Sequence, residues 1–255
     1  MDLAGYTNQA KLATHKLWYA IPFMIENKLW VGFFKHRLVL SVSLLAAVFI
    51  PWSIYEVIRS TPSLFDSSIE SKHIAASFAD NVTLDKIFTG SNQYLVMALI
   101  HMLNVYFSNK TIERLSGVSI DLSLKEMIAS QIRNIKVIVR NWFVELLVGI
   151  SLYIFIGLFG PDWLVDGMKF LVGSFFLGYI YIDNYNNAFG ISIKNSFPIV
   201  VQHAGAALTF GIVTKILFLI PFVGVVFSSF ICGVASTWYM HTSSDKHVGS
   251  EAYAN

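Results

Sequence analysis

Apolar residues along this chain gather into long runs separated by short polar stretches, and the runs recur from Leu38 almost to the C-terminus. Two of them stand back to back near the end, at 204–220 and 222–240, joined at Pro221. A helix needs ~20 apolar residues, at 1.5 Å rise each, to cross a bilayer core. These arms are near the lower edge of that length, and Lys215 interrupts the first. The stretch Ile220-Pro221-Phe222-Val223-Gly224 reads as the turn between them. The pattern predicts a helical hairpin buried in the membrane, with arms short enough for partial penetration.

A second hairpin of the same plan is expected at about 143–182, turning at Gly160-Pro161-Asp162-Trp163. It is fed by an amphipathic helix. Ser123 and Glu126 have capping-box spacing. After them Met127, Ile128, Ile132, Ile135, Ile138 and Val139 recur at helical spacing, with Arg133, Lys136 and Arg140 between. Full spans are expected at about 38–58, kinked at Pro51, and at about 90–108. Residues 1–37 mix Lys11, Lys16, Lys28, Lys35 and Arg37 with Trp18, Tyr19, Phe23 and Trp30. That mixture suits an amphipathic helix at a membrane interface, broken at Ile21-Pro22. Residues 59–89 and 183–203 read as polar loops, and 242–255 as a polar tail. The expected fold class is therefore all-α: a polytopic integral membrane protein with two full spans, an amphipathic helix and two helical hairpins. Residues 38–241 form its membrane domain.

Composition agrees. The chain has 255 residues, of which 55% are hydrophobic and 13% charged, against about 25% charged in soluble domains. A net charge of +2 gives no reason to expect nucleic acid. The single Cys232 lies inside an apolar run, which gives neither a disulfide framework nor metal-ligand spacing. The first twenty residues lack the continuous apolar core of a cleavable signal peptide. Lys and Arg concentrate in the N-terminal segment and in 109–142, so both termini are expected on the cytoplasmic side.

The candidate chemistry is sparse. No paired carboxylates, nucleophile motif, phosphate-binding loop or metal cluster appears, so neither an enzyme nor a cofactor is expected. Lys215 is a charge in an apolar arm, and such groups face protein or water. It is a candidate for attracting an anion. His203, Gly205 and Gly211 surround a helix start whose free N–H groups suit an anion, although small residues equally serve close helix packing. His101 and Asn104 could line a polar path in the second span, or bond to a neighbouring helix. Glu145 reads as interfacial and is not expected to pair with Lys169.

The residues of 179–237 add a resemblance. Tyr181-Ile182-Asp183-Asn184-Tyr185, Phe189, Ser196-Phe197, the run from Gly205 to Gly211, Ile220-Pro221, and Gly233-Val234-Ala235-Ser236-Thr237 follow one another at a familiar spacing. Together they resemble the CysZ and etoposide-induced-protein family of membrane proteins. The resemblance implies a sulfate permease of the bacterial inner membrane, with partly penetrating hairpins, that oligomerises. It departs from the family in the loop before the last hairpin, where Asn186, Asn187, Gln202 and His203 stand in place of basic residues. The alternative expectation is a membrane scaffold or accessory subunit that does not transport. The expected partners are thus the lipid bilayer, a small anion with sulfate first, and copies of this chain or a larger membrane complex.

Overall fold

The structure is a computed structural model, and it describes residues 3–31, 33, 41, 91–118, 120, 123–157, 161–218, 220 and 223–244. The span expected at 38–58, apart from Ser41, and the loop at 59–89 lie outside the described residues, as does the tail beyond Ser244. Within them the chain is all-helical. The helices are α1 (Leu3–Glu26), α2 (Ser91–Ser116), α3 (Leu124–Leu152), α4 (Asp162–Ala188), α5 (Ile193–Gln202), α6 (Ala204–Phe218) and α7 (Val223–Ser244).

Two helical stretches are long and apolar enough to cross a membrane, Lys125–Ile156 and Trp163–Ala188. These are the arms of the first expected hairpin. α3 begins where the capping box predicts, with the Ser123 hydroxyl accepting from the Glu126 N–H at 3.3 Å. It runs unbroken into a π-helical turn at Tyr153–Gly157. Many of its apolar positions, Ile132, Ile135, Val139, Phe143 and Ile150 among them, face outward, whereas Met127, Val137 and Ile138 are buried in the core. α4 is far more enclosed, and Leu177, Tyr179, Ile180, Tyr181 and Ile182 are fully or nearly fully buried. The span expected at 90–108 is not among the qualifying helices. α2 covers it, but carries His101, Asn104, Ser108 and Thr111 buried against its neighbours, and is less apolar than the two spanning stretches.

The second expected hairpin is shorter on its entry side. α6 has 15 residues, about 22 Å at 1.5 Å per residue, less than the ~30 Å of a bilayer core. It meets α5 at a 92° bend, the geometry of a broken span or a re-entrant loop. The stretch 183–203, expected as a polar loop, is helical apart from a short turn. α4 continues to Ala188, and α5 follows. The reason is that its polar side chains find partners on other helices. Arg133 grips Asp183 with two bonds, at 2.9 and 3.1 Å, and also donates to the Ile191 carbonyl. Asn186 donates to the Ser196 hydroxyl at 2.8 Å, and Asn187 to that of Ser130 at 3.0 Å.

The core of the bundle is the crossing of α4 and α6, where the backbones nearly touch. A Cβ on Gly178 would overlap the Ala207 carbonyl, and one on Gly211 would overlap the Ser174 carbonyl. Each helix thus offers a small residue and, four positions on, a glycine: Ser174 and Gly178, Ala207 and Gly211. This is the close-packing device of membrane helices. α7 packs between α2 and α6, and α1 lies across α6 and α7. The break expected at Ile21-Pro22 does not occur, since Pro22 sits inside α1. Packing on both sides holds the helix there: Phe23 stacks on Trp238, and the Lys16 ammonium lies 3.9 Å over the same ring. Burial holds the Lys16 pKa below its usual 10.5. Trp18 faces away from the bundle and is exposed.

Candidate functional site

Lys215 stands in the last turn of α6, not in mid-arm, because that helix ends at Phe218. Only 9% of it is exposed. Its ammonium donates to the Phe170 carbonyl at 3.2 Å and lies 4.6 Å from the centre of the Phe170 ring. The partner that matters most comes from a third helix. Glu145 Oε1 and Lys215 Nζ lie 2.8 and 2.9 Å from the place a Cβ on Gly173 would occupy. Both atoms therefore fit within the about 4–6 Å over which opposite charges support one another. Gly173 makes the notch, α3 supplies the anion and α6 the cation. Glu145 is thus not simply interfacial, and its counterpart is Lys215 and not Lys169.

The other candidates do not gather around Lys215. Gly205 begins α6, ten residues away, or about 15 Å along the helix. Its N–H donates to Gln9 Oε1 at 3.0 Å, and Gln9 Nε2 donates to the Gln202 carbonyl at 2.7 Å. One side chain of α1 therefore caps both the end of α5 and the start of α6. A Cβ on Gly205 would also strike the Tyr6 carbonyl, so α1 occupies the place an anion would take. His203 Nδ1 lies 2.9 Å from the Tyr239 hydroxyl, with the rings edge to face. Gly211 serves the α4–α6 crossing. His203 and Gly205 thus sit in a packed corner, and Gly211 in the crossing one turn before Lys215.

His101 and Asn104 diverge. His101 Nε2 faces Ser130 of α3 at 3.4 Å. Asn104 turns to the α2–α7 seam, where Ser108 donates to it at 3.4 Å and Thr237 donates to Ser108 at 2.9 Å. Gly233 leaves room there, since its Cβ would meet Asn104 Oδ1. Among the described residues, both therefore serve contacts between helices.

Sequence reading does not point to the Glu145–Gly173–Lys215 cluster as a unit. Its members lie on three helices, and only the fold aligns them. The available signal was Gly173, a glycine within a long apolar arm, where a close approach is a common reason for its presence. Comparison of the chain with protein-family models, with curated proteins and with solved structures found no match.

Proposed function

We propose that this chain is a membrane permease for a small inorganic anion, sulfate first, that works without hydrolysing ATP of its own. One observation carries the reading: Lys215 of α6 and Glu145 of α3 share a notch at Gly173 of α4, among largely apolar neighbours. Charges at such depth are costly to insert and mark solute or ion pathways by default. Lys215 is the group that meets the anion. Glu145 is the counter-charge that holds Lys215 in place between anions. The shortness of α6 supports access, because 15 residues are too few to cross the bilayer core and Lys215 stands in the last turn. The resemblance of 179–237 to sulfate permeases supports the choice of anion and a place in a bacterial inner membrane as a homo-oligomer.

A second reading is favoured by a different observation. The start of α6 is closed by Gln9, and Gly211 is consumed in packing. A protein built around such closed corners suits a membrane scaffold or accessory subunit. Uptake of radiolabelled sulfate into vesicles containing the purified protein separates the two. Uptake above that of empty vesicles, lowered in Lys215→Met, supports the permease. No uptake, with a stable complex with other proteins after gentle extraction, supports the scaffold.

A further inference from the structure

At the end of the bundle remote from Lys215, α2, α3 and α4 enclose a cavity of about 160 Å³. Ser130 and Glu145 are both on α3, fifteen residues apart, which is about 22 Å of helix. This space is therefore separate from the charged notch. Its polar lining is Asn109, Glu126, Ser130, Asn184 and Asn187.

Two features of this lining call for a ligand. Asn184 is only 5% exposed, yet its amide Nδ2 has no hydrogen-bond partner among the described residues. A buried donor left unpaired costs about 1–3 kcal/mol, and an acceptor in the cavity removes that cost. Glu126 stands at the exposed rim, in the first turn of α3, and brings a carboxylate to the same space. Ser130 is already engaged, accepting from Asn187 and facing His101.

The charge balance restricts the class of solute. Among the described residues lining the cavity, none is Lys or Arg. Of the neighbouring cations, Arg133 pairs with Asp183 and Lys110 with Glu113, while Lys125, beside Glu126, is exposed. A bare anion would meet the Glu126 carboxylate with no cation in the lining to offset it. A bare cation would leave Asn184 Nδ2 without an acceptor. A solute that satisfies both groups carries an acceptor oxygen at one end and a positively charged or N–H donor group at the other.

We infer that this cavity binds a small zwitterion of amino-acid size, its carboxylate accepting from Asn184 and its ammonium facing Glu126. The site is independent of the proposed anion path.

The test is direct binding to the whole protein in lipid nanodiscs. Tritiated L-serine is the probe, and acetate and ethanolamine are competitors that each carry one charge. Saturable serine binding is expected. Neither competitor should displace it at serine's own half-saturating concentration. Glu126→Gln should weaken binding tenfold or more, and Ala129→Phe, at an exposed wall position, should abolish it by filling the space. Both positions are at the surface, so an unchanged elution volume certifies folding. Lys215→Met should bind serine as the wild type does, whether or not it moves sulfate. The inference is overturned by an absence of saturable binding. It is equally overturned if either competitor matches serine, or if Glu126→Gln and Ala129→Phe bind normally.

Discussion

Glu145 of α3 and Lys215 of α6 point into one notch, which exists because residue 173 of α4 between them has no side chain. Three helices from the two hairpins are thereby joined through a pair of charges. Lys215 is buried and Glu145 half-buried, so stranding either charge should cost less than the roughly 3–5 kcal/mol of a fully buried pair. Lys215→Met and Glu145→Gln should each lower the unfolding temperature in detergent, and the double substitution should recover a substantial part of the loss. Losses that simply add would show that the two groups do not interact.

Gly173→Leu would push a side chain into the same notch and drive the charges apart. At the α4–α6 crossing the obstacle is backbone, which cannot swing away. Gly178→Val and Gly211→Val should therefore each cost at least the about 1–3 kcal/mol of overpacking. Thermal denaturation of the purified variants reads this out. Stability equal to that of the wild type at both positions would refute the backbone contact.

Gln9 ties α1 to the α5–α6 corner with two hydrogen bonds. At about 0.5–1.5 kcal/mol each, their loss in Gln9→Ala should loosen α1 without unfolding the bundle. Limited proteolysis should cut within residues 3–26 several-fold faster in the variant. Equal cutting rates would mean that α1 is held by its Trp238 contacts alone.

Lys16 gives α1 a pH dependence. Its folded pKa is lowered by burial, so on raising the pH the folded chain sheds this proton before the unfolded chain does. The unfolded state then holds more protons, and stability rises with pH until the usual 10.5 is passed. As the pH is raised toward 10.5 the wild type should therefore gain stability relative to Lys16→Met. Parallel pH profiles for the two proteins would contradict this.

The depth of the hairpins can be probed with single cysteines and a membrane-impermeant label. Pro161 and Ile220 are exposed positions near the two turns. Gly224 is unsuitable, because any side chain there meets the Leu217 carbonyl. If the α6–α7 turn stops within the bilayer, Ile220→Cys should resist label from both sides. Ready labelling from the far side would establish a full crossing.

Local features are legible in neighbouring residues: the Ser123 cap, and the exposed Ile132, Ile135 and Val139 of α3. What escaped depends on distant partners. The stretch 183–203 looks polar because Asp183, Asn186 and Asn187 carry hydrogen-bonding side chains, but Arg133, Ser196 and Ser130 satisfy them and the stretch stays helical. Pro22 looks like a break, but packing against Trp238 carries α1 through it. Among the candidate site residues, Lys215 was visible as a charge among apolar neighbours. Its counterpart Glu145 lies seventy positions earlier in the sequence, and nothing in the local pattern links the two.

The most direct test of the account is sulfate flux through proteoliposomes containing wild type, Lys215→Met or Glu145→Gln, with folding checked by elution volume. The account predicts flux above empty vesicles for the wild type, a tenfold or greater fall in Lys215→Met, and altered half-saturation in Glu145→Gln, where Lys215 has lost its competing carboxylate. Wild-type flux no greater than that of empty vesicles, or unchanged flux in Lys215→Met, would contradict it.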